Sequence, residues 1–191
     1  MPIEGVSRRT ILKTGLAGLA STALPMGLLG KAQAAEGVVL GAVYVGSRGD
    51  FGWNQAHAVA MDVLKSVANV KVIEEENVPE TDAVAKSMES MINLDGANLI
   101  LATSFGYYKP FVVDLAKKYP DVQFRHAAPL WNKDTDPANA GSYFCYLNQA
   151  HYVDGVAAGL SSPTAKIGFV AAKPIPSVLS NINSVLLGAR K

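Results

Sequence analysis

Val38 to Val45 is an almost unbroken apolar run, the pattern of a strand covered on both faces. Asn54 to Val67 then sets Ala58, Met61, Val63, Leu64 and Val67 at spacings that roughly make one helical face. Val70 to Ile73 reads as a second strand. Asp82 to Ile92 reads as a helix with Val84, Met88, Met91 and Ile92 inward and Thr81 as its N-cap. The cycle repeats with a strand at Ala97 to Thr103, a helix at Lys109 to Lys118, strands at Val122 to His126 and Gly141 to Tyr146, and a helix at Ala150 to Leu160. After Ser161-Ser162-Pro163-Thr164 a further unit is expected: a strand at Ala165 to Val170, a turn at Ala171 to Ile175 and a helix at Pro176 to Ala189. Pro176 suits a first helical position, where its missing N–H is not needed.

Strands that alternate with helices at this spacing predict an α/β fold with a parallel sheet flanked by helices, because parallel neighbours need a crossover and a helix is the usual one. In such sheets ligands sit beyond the carboxyl ends of the strands. The loops to watch are therefore Gly46 to Trp53, Ser104 to Tyr108 and Pro129 to Pro137. One strand and one helix do not bury their own apolar faces, so the expected organisation is a complete first lobe over 35–160, a hinge linker over 161–164 and a second lobe only begun over 165–191. A chain so divided is expected to bind a ligand weakly or not at all by itself.

Residues 1–34 change how the rest is read. Ser7-Arg8-Arg9-Thr10-Ile11-Leu12-Lys13, a Gly/Ala/Leu-rich stretch and Ala32-Gln33-Ala34 have the form of a twin-arginine signal peptide, which implies passage to the periplasm. Gly15, Gly18, Pro25, Gly27 and Gly30 interrupt the apolar part and make a poor membrane span. Of 17 basic and 16 acidic side chains, four basic (Arg8, Arg9, Lys13, Lys31) and one acidic (Glu4) lie in this segment, leaving 13 against 15. No basic stripe remains to recruit nucleic acid. Cys145 is the single cysteine, so an internal disulfide and a metal-type cysteine pair are both excluded.

The first loop carries the most pointed chemistry, Asp50-Phe51-Gly52-Trp53-Asn54. Asn54 as a helix cap and Trp53 as a hydrophobic staple would be an ordinary helix start. The combination says more: Phe51 and Trp53 offer flat stacking faces, while Asp50 and Asn54 offer hydrogen bonds to the edge of a heterocycle. Phe105, Gly106 and Tyr107 form a second lip after the third strand, although aromatics there also pack into cores and Gly106 also serves a tight turn. His57, His126 and His151 lack the i, i+4 spacing of a helical zinc site, and no GxSxG elbow, Walker loop or GxGxxG fingerprint occurs. Neither catalytic residues nor a metal or other cofactor is expected.

The segments VYVGSRGDFGWNQAHAVAMD, NQAHYVDGVAAGL and KIGFVAAKPIPSVLSNINSVLLGAR, in register from about Gly37 to the last residue, resemble the basic membrane protein (BMP) family of ABC-transporter substrate-binding proteins, which includes purine nucleoside receptors. The resemblance implies a periplasmic-binding-protein-like clamp of two lobes around a purine nucleoside or base, and delivery to an ABC permease in the inner membrane. It implies that Trp53 stacks on the base, that Asn54 reads the base edge and that Asp50 matches an acid just before them. Phe105 and Gly106 match the loop after the third strand, where Tyr107-Tyr108-Lys109 departs from an acid the family carries nearby. Lys173 to Pro176, with Lys173 and Ile175 as contacts, would be the first contact loop of the second lobe. The alternative is a secreted α/β enzyme acting on a small polar heterocycle, which would need a nucleophile or metal set. A sugar-responsive transcription regulator would need a DNA-binding head where this chain has an export segment.

Overall fold

The computed structural model describes residues 37–191, so the signal-peptide reading lies outside the described residues. Five strands, β1 (Val38–Val43), β2 (Val70–Glu75), β3 (Leu99–Ala102), β4 (Gln123–Ala127) and β5 (Ala140–Tyr143), form one parallel sheet in the order β2-β1-β3-β4-β5. Val43 stands opposite both Glu75 and Ala102, Ala102 opposite His126, and His126 opposite Ser142, so the carboxyl ends of the central strands are level. The α/β architecture is the one that the alternating pattern predicts.

Helices α1 (Trp53–Leu64), α2 (Asp82–Asn93), α3 (Val113–Lys118), α4 (Leu147–Ser161) and α5 (Pro176–Ala189) complete the described chain. The two faces of the sheet carry separate cores. Leu40, Ala42 and Tyr44 point to one face and meet Ala58 and Met61 of α1. Val43, Ile100 and Phe124 meet Val84, Met88 and Met91 of α2 on the other. Burial of each large side chain contributes roughly 2 kcal/mol, which is what holds both helices down. Thr81 caps α2, its Oγ1 accepting from the N–H of Ala83. Val63 and Val67, expected on the inward face of α1, are exposed, because Asn54, Ala58 and Met61 define the buried stripe.

Two expected elements form differently. Regular helix begins at Val113 rather than Lys109: a 3-10 turn (Phe105–Tyr107) and a π-type turn (Tyr108–Val112) precede it, and Lys109, next to Pro110, is extended. The proline ring disfavours helical backbone in the residue before it. Residues 165–170 are not a strand. They have no ladder partner among the described residues, and Val170 is fully exposed. An extended segment without a neighbour leaves its backbone groups to water and gains nothing from alternation.

Helices α4 and α5 pack backbone to backbone. A Cβ on Gly188 would lie 2.0 Å from the carbonyl oxygen of Tyr152, and one on Gly155 would lie 2.2 Å from that of Val185. Glycine at these two crossings lets α5 lie directly on α4, which brings the amino end of α5 over the carboxyl edge of the sheet.

Candidate functional site

Between β1 and β3 the strand order reverses, so the loops leaving these two strands part and leave a crevice. A cleft of about 310 Å³ occupies this place, a volume at the low end for small-molecule sites. Its walls are the loop after β1, the loop after β3, the end of β5 and the amino end of α5.

The loop after β1 is braced from outside the cleft. The Arg48 N–H donates to Glu76 at 2.6 Å, and its guanidinium pairs with Glu74 at 3.1 Å and Asp62 at 3.0 Å. Asp50 then organises the start of α1. Its Oδ1 accepts from the N–H groups of Gly52 (2.9 Å) and Gln55 (3.0 Å), and its Oδ2 accepts from the N–H of Asn54 (3.1 Å) and from Asn54 Nδ2 (2.8 Å). Burial opposes ionisation of this carboxyl, but the N–H groups of Gln55, Asn54 and Gly52 and the Asn54 amide outweigh it and bring its pKa to about 2. Gly52, in the capping position, makes no side-chain cap of its own, so Asp50 supplies it from two residues upstream. A negative group at a helix amino end also meets the positive end of the helix dipole.

Relieved of capping, Asn54 lines the cleft while only 5% exposed. A carboxylate only accepts, so the Asp50 contact fixes the Asn54 amide with nitrogen toward Asp50 and oxygen away. That Oδ1 is buried without a hydrogen-bond partner. A buried acceptor left unmatched costs about 1–3 kcal/mol, which a ligand N–H would recover.

The Trp53 indole is held as firmly. Its Nε1 donates to the Thr103 carbonyl at 2.6 Å, tying α1 to the end of β3, and its ring rests on His57 at 4.9 Å. Burial lowers the pKa of His57, with a partial offset from its 2.8 Å bond to the Trp53 carbonyl, and so keeps the imidazole neutral behind the indole. Phe144, just beyond β5, lies 6.3 Å from Trp53 at 39° and is a second aromatic wall. Phe105 and Ile175 also line the cleft.

Glu80 is bonded to two residues of the cleft wall, Ser104 and Lys173. Its Oε1 accepts from Ser104 Oγ (2.5 Å) and the Gly106 N–H (2.8 Å), and its Oε2 from Lys173 Nζ (2.7 Å). Burial raises its pKa, but Lys173, Ser104 and Gly106 together lower it, so it is a carboxylate. A Cβ on Gly106 would lie 2.5 Å from this carboxyl carbon, so a side chain there would have to push the carboxylate from its present seat.

Of the residues singled out from sequence, Asp50, Trp53, Asn54, Phe105, Lys173 and Ile175 meet at the cleft. Phe51 is 94% exposed at φ +55° and stands outside it. Gly106 takes part through its backbone as the seat of Glu80. Tyr107 is fully buried and donates its hydroxyl to the Val78 carbonyl at 2.5 Å. Sequence reasoning missed Phe144, Ser177, Asn181 and Glu80. Ser177 and Asn181 share one face of α5 at i, i+4, a signal readable only once that face is known to meet the cleft. A larger cavity of about 480 Å³ beside α4 and α5 is walled by Ile167, Phe169, Ile182, Val185 and Leu186 with Arg190 at its edge, and lacks the convergent polar groups that recognition requires.

Residues 37–191 match the family model described as ABC transporter substrate-binding protein PnrA-like. A purine-binding protein of Brucella abortus is 37% identical over 163 residues, covering 84% of this chain and 45% of that protein. A putative ABC transporter glucose-binding protein of Haloferax volcanii is 34% identical over 152 residues, covering 78% of this chain and 36% of that protein. The chain thus spans less than half the length of these relatives. Solved ABC-transporter solute-binding proteins from Conexibacter woesei and Aeropyrum pernix share the fold, each with TM-score 0.64 and 22% identity over 80% of this chain and 50% and 43% of theirs. The family is one of solute-binding transport proteins rather than enzymes. A reversed strand order, a cleft at the reversal and a family match over all described residues together place this chain in the PnrA-like (BMP) family of ABC-transporter substrate-binding proteins.

Proposed function

We propose that this chain captures a planar nitrogen heterocycle of the purine type, as base or nucleoside, and passes it to an ABC permease in the inner membrane. The observation that carries the reading is the pairing of two immobilised groups: the Trp53 indole, bonded to the Thr103 carbonyl, and the Asn54 acceptor oxygen, oriented by Asp50. Stacking on the indole would supply area, and an N–H of the ring edge would satisfy Asn54. The purine-binding name of the Brucella relative supports it. In this reading residues 1–34 export the protein to the periplasm by the twin-arginine route, 35–160 form the first lobe, 161–164 the hinge, and 165–191 begin the second lobe, which closes on the solute by hinge motion.

The glucose-binding name of the Haloferax relative raises a sugar as the second reading, since a pyranose also stacks on indole. Asp50, Ser104 and Lys173 are already engaged by protein partners, which leaves few polar groups for a ring of hydroxyls and favours the heterocycle. Titration calorimetry of the full-length protein with adenosine, adenine and glucose decides between them. Binding of a purine and not of glucose is expected, with affinity falling tenfold or more in Trp53→Ala; binding of glucose alone overturns the reading.

A further inference from the structure

The cleft holds what an anion needs and then cancels it. Lys173 lies in its wall. Beside it begins α5, whose first turn carries no side-chain cap and lines the cleft through Ser177 and Val178. An ammonium beside the open amino end of a 14-residue helix is the usual setting for a phosphate or carboxylate. Here Glu80 reaches Lys173 first, at 2.7 Å, and is seated by Ser104 and Gly106 from the opposite side. Three donors from two parts of the chain, the loop after β3 and the segment before α5, make this carboxylate a built feature rather than a loose surface pair. Across the cleft stands Asp50, also ionised and with all its bonds made within the protein.

We infer that Glu80 is a specificity-determining residue that neutralises Lys173 and makes the cleft accept an uncharged solute while rejecting the same solute carrying a phosphate. This rests on the proposed purine-type reading for the identity of the solute, but the charge arrangement does not depend on it. An incoming phosphate would have to displace Glu80 from Lys173 while entering a cleft that already holds the Asp50 carboxylate. A like charge several ångströms away in a partly solvated cleft weakens binding on the order of tenfold or more. Glu80 touches no ligand in this scheme; it acts through Lys173.

Calorimetry of the full-length protein with adenosine and adenosine 5′-monophosphate tests the inference. Wild type is expected to bind the monophosphate at least tenfold more weakly than adenosine, and Glu80→Gln to narrow that ratio by tenfold or more, with the gain fading as salt rises. Glutamine keeps an acceptor for Ser104 and Gly106. Equal affinities in wild type, or an unchanged ratio in Glu80→Gln, overturns the inference. Lys173→Met provides a second arm: it leaves Glu80 uncompensated and should widen the ratio, and a narrower one counts against the proposal. If wild type binds neither purine probe, the proposed function fails, and titration with inorganic phosphate decides the inference alone. Saturable phosphate binding by Glu80→Gln and not by wild type upholds it; no binding by the variant, or equal binding by both, overturns it.

Discussion

Asp50 Oδ2 accepts from the side-chain amide of Asn54 at 2.8 Å while its Oδ1 holds the N–H groups of Gly52 and Gln55, so one carboxylate both starts α1 and decides which end of the amide remains for a ligand. Stability and recognition are therefore joined at this residue. In Asp50→Ala the helix start loses its cap, which costs about 1 kcal/mol in urea unfolding. The Asn54 amide also becomes free to rotate, so affinity should fall several-fold more than the loss of stability explains. Asp50→Asn, which retains an acceptor but can turn its own NH₂ toward Asn54, should recover part of the stability and less of the affinity. Equal affinity in all three proteins would separate Asp50 from the site.

The stability of the fold should fall in acid in two steps. His126 is fully buried against Tyr108, with its Nε2–H donating to the Ser104 carbonyl at 2.8 Å, and burial lowers its pKa from the ordinary 6.5 despite that bond. The unfolded chain then takes a proton that the folded chain refuses, so stability is full above about 6.5 and declines as pH falls below it. Asp50 acts lower down: its contribution is present above the ordinary 3.8 and is lost as pH falls through about 2. Thermal melts between pH 8 and 2 should show both regions, and His126→Phe should shrink the first, leaving the part that His57 contributes. A melting temperature level from pH 7 to 5 would show that neither histidine is held neutral by the fold.

Gly188→Ala should damage the protein out of proportion to one methyl group. The new Cβ would meet the Tyr152 carbonyl at 2.0 Å, and backbone cannot step aside as a side chain can. Pushing α5 off α4 should cost about 1–3 kcal/mol and faster amide exchange in both helices, whereas Ser180→Ala on the exposed face of α5 should change neither. Because Ser177, Val178 and Asn181 reach the cleft from α5, affinity should fall with it. Unchanged exchange in Gly188→Ala would mean that the crossing is looser than described.

Much of this was readable along the chain, and the failures are instructive. Every strand of the sheet overlaps a stretch expected to be a strand, and Thr81 caps α2 as its position suggests. The one expected strand that does not form, residues 165–170, is as apolar as the others, with Ile167, Phe169 and Val170, yet has no neighbour to pair with. Apolar pattern reports what a segment would do if covered, not whether a cover exists. In the site, Trp53 and Asn54 stood out by residue type, and Phe51 stood out equally. Only the Asp50 turn, which leaves Phe51 at φ +55° with its ring in solvent, distinguishes them. An acid nonetheless stands beside the loop after β3: Glu80 accepts from the Gly106 N–H from 26 residues upstream, a contact that local sequence does not foretell.

The order of strands and helices, and hence the edge of the sheet where a ligand belongs, is written in the residues themselves, because the periods of two and of 3.6 are set by near neighbours. The choice of loop side chains that face that edge, and the charge they present, belongs to the folded molecule alone. Glu80 and Lys173 are 93 residues apart, and no local preference of either foretells the other. Their pairing depends on where the close packing of α5 on α4 at Gly155 and Gly188 sets the segment before α5, and a hydrogen bond, unlike a hydrophobic stripe, has no existence until both of its partners have arrived.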